Sequence, residues 1–105
     1  MEVSMKLLTK EIKDNLKPLR TFDNTAPENI PIVAKFFDPC GSYDWYVTEG
    51  EEDDNGDWLF YGLVNGQYKE LGLFRLSELN SVRGQFGLGI ERDLHFKGHM
   101  LSEVM

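Results

Sequence analysis

One cysteine, Cys40, occurs in the 105 residues, which excludes an internal disulfide and fits a reducing, cytoplasmic setting. No apolar run approaches the ~20 residues needed to span a bilayer. The stretch Met1 to Thr9 carries Glu2 and lacks the apolar core and cleavage site of a signal peptide. Basic residues are missing from a third of the chain: no Lys or Arg stands between Lys35 and Lys69. A sequence pI near 4.7 argues against direct binding to a nucleic-acid backbone, which needs clustered Lys and Arg. It permits binding to a protein that itself handles nucleic acid.

What fills the base-free stretch is acid and aromatic. Asp38, Asp44, Glu49, Glu51, Glu52, Asp53, Asp54 and Asp57 make eight acids out of the eighteen in the chain. Ten acids and eleven bases remain elsewhere, so this one segment accounts for the net charge of −7. Phe36, Phe37, Tyr43, Trp45, Tyr46, Trp58, Phe60, Tyr61 and Tyr68 lie in the same stretch. Apolar content of 41% supports one core without metal or disulfide, and the length suits a single domain over 1–105.

Along the chain, Thr9 predicts an N-cap, and Ile12, Leu16 and Leu19 an apolar stripe on a short helix ending near Leu16, before Pro18. Residues 21–31 form a polar connection. Strands are expected at 32–37, 43–49, 58–64 and 67–75, with an edge strand at 90–96. Asn65-Gly66 predicts a two-residue type I′ turn with both residues at positive φ. Ser77 predicts the cap of a single helical turn, 78–82, and Glu78 and Glu91 are expected to pair with Arg83 and Arg92. The fold class is α+β: a twisted antiparallel sheet of four to five strands, an N-terminal helix and a short second helical turn. The compact part is expected over 7–96, with 97–105 as a flexible tail.

Several chemistries fail on spacing. Glu51-x-Asp53-x-Asn55-Gly56 begins like a calcium loop, but the bidentate Glu is missing, because Gly62 stands at position 12. His95, His99 and Cys40 leave a zinc set one ligand short, with Gly98 between the histidines. Gly84, Gly87 and Gly89 run in the reverse order of a dinucleotide loop. Cys40 has no neighbouring base, and carboxylates on a wet hairpin tip are poor acid–base catalysts. The aromatics could stack bases, but acids flank them where Lys and Arg would be needed. No enzyme activity, cofactor or metal is expected. The acids Glu49, Glu51, Glu52, Asp53, Asp54 and Asp57 form the candidate partner-binding surface, and Arg75, Arg83 and Arg92 within or beside Ser77–Phe96 form the second.

Four pieces carry a resemblance: Lys35-Phe36-Phe37-Asp38-Pro39; Trp45-Tyr46-Val47-Thr48-Glu49-Gly50; Leu59-Phe60-Tyr61-Gly62-Leu63-Val64; and the run from Leu76-Ser77-Glu78-Leu79 through Ser81-Val82-Arg83-Gly84 to Ile90-Glu91-Arg92-Asp93-Leu94-His95-Phe96. With Leu7-Leu8-Thr9-Lys10-Glu11-Ile12 they resemble a family of small domains of unknown function on plasmids, conjugative elements and phages. The chain is also similar to type II-A anti-CRISPR proteins, the inhibitors of Cas9. That resemblance implies a monomeric protein-binding inhibitor whose partner is Cas9 or its guide-RNA complex, with no contact to membrane or free nucleic acid. The rival expectation is an accessory module of mobile-element replication or transfer, working through Ser77–Phe96.

Overall fold

The computed structural model describes residues 6–105, so the first five residues of the expected domain lie outside it. Helix α1 (Lys10–Asn15) is followed by β1 (Ala34–Phe37), β2 (Asp44–Glu52), β3 (Trp58–Asn65), β4 (Lys69–Arg75), α2 (Leu76–Ser81) and β5 (Glu91–Arg92). The strands form one antiparallel sheet in the order β4-β3-β2-β1-β5. The α+β class and the strand count agree with the sequence.

Both faces of the sheet are covered over its central strands. Alternation along β1, β2 and β3 sends Ala34, Phe36, Val47 and Phe60 to one side, where Leu7, Leu8, Ile12, Phe74, Leu79 and Ile90 complete the main core. Thr9 caps α1 by accepting from the Ile12 amide at 3.2 Å, and that cap turns Ile12 inward. Tyr46 and Leu63 point to the opposite side, under Ile30, Ile32 and Leu101.

That second layer corrects the expected tail at 97–105. Leu101 is buried, its amide donates to Ile30 at 2.8 Å, and the Ile32 amide donates to His99 at 2.9 Å. Burying Leu101 and half-burying Val104 against the aromatic face outweighs the freedom of a loose end.

Three local expectations also change. Asn65 and Gly66 are not at positive φ. Asn65 pairs with Lys69, so residues 66–68 form a three-residue connection in place of a type I′ turn. Helix α2 begins at Leu76 with Arg75 as its N-cap, and Ser77 is helical. The edge strand shrinks from 90–96 to Glu91–Arg92, after which the Asp93 amide makes one more bond to Lys35 and the chain leaves the sheet.

Candidate functional site

The β2–β3 hairpin carries the acids, and its irregularity decides where they point. A register shift between Val47 and Glu49 interrupts the ladder. Thr48 is buried at the shift and donates its hydroxyl to Tyr61 at 3.1 Å. Glu49 is also buried, at 3% exposure. Its carboxylate accepts from the Arg20 amide at 2.9 Å and the Phe22 amide at 3.3 Å. Glu51, on the same side of the strand, accepts from the Leu19 amide at 2.9 Å. The connection after α1 therefore wraps around these carboxylates, with Arg20 at φ 72. Lys17 lies beside Glu49 on the strand edge, where its carbonyl accepts from Gly50 at 3.0 Å.

At the tip, Asp53 organises the turn. One oxygen accepts from the amides of Asn55 and Asp57, and the other meets the Arg75 guanidinium at 2.7 Å. Gly56, at φ +82, supplies the left-handed residue that lets the chain return. Asp57 accepts from the Ser77 hydroxyl at 2.7 Å, from the Ser77 amide at 3.1 Å and from its neighbour Trp58 at 2.8 Å. It also lies 3.6 Å from Arg75. The backbone amide of Asn55, and then Arg75, hold the Asp53 carboxyl below the usual carboxylate range. Ser77 does the same for Asp57, with smaller help from backbone amides and Arg75. Asp53 in turn holds the Arg75 proton more tightly than usual.

The six candidate acids therefore divide. Glu49, Glu51, Asp53 and Asp57 hold the hairpin to the 17–22 connection and to the start of α2. Glu52 and Asp54 are exposed, and their side chains make no hydrogen bond or ion pair among the described residues. The sequence contained no sign of this division, because the donors lie 20 to 32 residues away along the chain.

The three arginines are engaged as well. Arg75 belongs to the tip. Arg83 donates to the carbonyls of Asn80 and Val82 at 2.7 Å, closing the end of α2. Arg92 donates to the Lys6 carbonyl. Glu78 does not serve Arg83 in these contacts; its carboxylate accepts from the Arg75 amide at 3.0 Å, satisfying a free donor at the helix start.

Two features outside the acidic hairpin escaped the sequence reading. Phe86 stands in the glycine-rich loop at φ 60 and is 88% exposed. Its loop rests on Cys40, whose sulfur lies 3.7 Å from the Gln85 carbonyl. Separately, a groove of about 600 Å³ opens between α1, β1 and the 92–100 segment, with Glu11, Arg92, Asp93 and Lys97 among its polar lining. Among the described residues no three His, Cys, Asp or Glu side chains gather as a metal site would require. No described helix is long and apolar enough to cross a membrane.

Fold and site together define a small α+β domain with a braced anionic hairpin. The chain belongs to the family described as "Protein of unknown function (DUF2958)", which matches it over residues 7–104. That span takes in Leu101 and Val104, in keeping with their place in the second apolar layer. No curated protein and no solved structure matches the chain.

Proposed function

We propose that this protein binds and inhibits a basic, nucleic-acid-handling partner through the β2–β3 tip, and that Cas9 with its guide RNA is that partner. The observation that supports the reading is the bracing of the tip. Asp53 and Asp57 are tied to Arg75 and Ser77, so the neighbouring Glu52 and Asp54 are offered to solvent on a turn that does not have to be ordered on binding. Cas9 reads its PAM with arginines and holds nucleic acid in a positive channel. Carboxylates at fixed spacing are suited to occupy such a surface in place of phosphates.

The test is cleavage of target DNA by a Cas9–guide complex with the purified protein added, beside plasmid protection in cells with active type II-A interference. Inhibition by the wild-type chain, lost in Glu52→Lys/Asp54→Lys, supports the reading. Unimpeded cleavage and no co-purification with Cas9 overturn it.

A second reading has its own observation. Phe86, an exposed aromatic held at positive φ, marks the Ser77–Phe96 segment as an alternative interaction surface for an accessory module of mobile-element replication or transfer. Binding lost in Phe86→Ser and retained in the acid variants would favour it.

A further inference from the structure

We propose that the outer edge of β4 docks a second copy of the chain, antiparallel about Gly72, so that two five-stranded sheets continue as one. β4 ends the strand order, and among the described residues no strand pairs with its far side. The ladder to β3 fixes which backbone groups are spare. Gly66 donates to the Tyr68 carbonyl, and hydrogen-bonded pairs recur every second residue from there, so Glu70, Gly72 and Phe74 face β3. Lys69, Leu71 and Leu73 turn their amides and carbonyls outward. Their side chains share one face, where Leu71 is 42% and Leu73 61% exposed. Edge strands are normally blunted by charged side chains, proline, a bulge or brevity. β4 has seven residues, no proline and an unbroken register, and its charges, Lys69, Glu70 and Arg75, stand toward its two ends and leave Leu71, Gly72 and Leu73 between them.

Gly72 supplies the independent observation. A Cβ there would meet nothing within 4 Å, and its φ is not in the left-handed region. Nothing inside one chain requires glycine, and glycine in mid-strand weakens the strand unless another backbone comes close. With the two-fold axis at Gly72, the two glycines face each other as a non-hydrogen-bonded pair, the narrow spacing of ~4.5 Å in antiparallel sheets. Leu71 then faces Leu73 of the second copy, and each such pair exchanges both backbone hydrogen bonds.

Charge selects a second copy in this orientation. Lys69 comes opposite Arg75 of the second copy, but Arg75 is already bound by Asp53 and Asp57, so Lys69 meets a group with one net negative charge. The antiparallel arrangement also sends the two acidic tips to opposite ends of the joined sheet. This keeps apart the charge that would otherwise oppose self-association of a chain at −7.

The experiment is sedimentation of the full chain across a wide concentration range, with amide hydrogen exchange at Leu71 and Leu73. The expected result is a species of twice the 12.1 kDa chain mass at high concentration, with both amides protected. Leu71→Lys/Leu73→Lys places like charges opposite each other on already exposed positions, and should weaken the dimer at least about tenfold. A single-chain mass at every concentration overturns the proposal. So does a dimer that persists undiminished in the double-lysine variant. Neither outcome bears on the acidic tip, which that variant leaves intact.

Discussion

The same dipeptide closes two of the three hairpins of this sheet, and it does different work in each. Asn55-Gly56 sits in the acidic β2–β3 tip, where Gly56 takes φ +82 and open space surrounds it. Asn65-Gly66 follows β3, and neither residue takes positive φ. There Asn65 is still in the strand, and Gly66 is small because the Tyr43 ring lies over it: a Cβ would stand 2.4 Å from that ring. One glycine is required by backbone geometry, the other by a neighbour. Asn-Gly announces that the chain reverses. The loop length, set by how the strands are held from outside, decides the turn type.

The outside hold on β2–β3 is the stronger, and removing it should give the largest effect. Glu49→Ala leaves the amides of Arg20 and Phe22 without their acceptor in a partly buried place. Each orphaned donor costs ~1–3 kcal/mol, so a loss of about 3 kcal/mol is expected in a urea titration. Glu52→Ala, three residues along, should change stability by less than about 0.5 kcal/mol. Equal effects at the two positions would break the division of the acids.

Next come the two glycines. Gly66→Val forces the Tyr43 ring aside and away from Trp45, whose ring centroid lies 5.8 Å from it. Overpacking of this kind costs ~1–3 kcal/mol. Gly66→Ala should cost less, because size is the issue. Gly56→Ala meets no atom but must hold a left-handed conformation, at roughly 1 kcal/mol. Gly56→Asn should recover much of that, because Asn tolerates the region. Thermal melts of the four variants sharpen the contrast: size ranks the losses at position 66, backbone tolerance at position 56. The opposite pattern would show that the two turns are alike.

The tip also has a pH signature. Asp53 and Asp57 are held below the usual carboxylate range by amides, Ser77 and Arg75. A depressed carboxyl stabilises the fold fully above its unfolded-state value, and that contribution is lost as pH falls through the folded one. Melting temperature should therefore decline across the acid range below the ordinary carboxylate value. In Asp53→Asn, whose amide oxygen still accepts backbone bonds, the decline should be shallower. An unchanged slope in Asp53→Asn and in Asp57→Asn would remove these two groups from the acid transition.

Much of this was legible from local pattern. Thr9 before Ile12 and alternation through Ala34 and Phe36 each concern residues near one another, and the cap and the strand appear where expected. The failures share a cause. Leu101 looked like tail because its burial depends on Tyr46 and Leu63, far back in the chain. Ser77 looked like a cap because its chemistry allows it, but Asp57 on another hairpin claims its hydroxyl. Glu49 looked like a surface acid because nothing near it in sequence reports that the amides of 20 and 22 fold over it. Long-range hydrogen bonding turned a run of like charges into two classes, and only tertiary structure separates them.

The smallest expected effect on stability is the most telling about function. Glu52→Gln/Asp54→Asn keeps size and polarity and removes the two tip charges that no described residue answers. With like-charge repulsion relieved, the melt should stay within about 0.5 kcal/mol of wild type. If the tip steers the chain to a basic partner, the association rate with the Cas9–guide complex should fall several-fold at low salt. The gap should narrow at high salt, where a Debye length of ~3 Å at 1 M screens the wild-type charges too. Glu51 and Asp53 are left untouched, since changing them would loosen the turn and confuse charge with structure. Identical association rates at both salt concentrations would leave Glu52 and Asp54 as solubilising residues and move the search for a partner to Phe86.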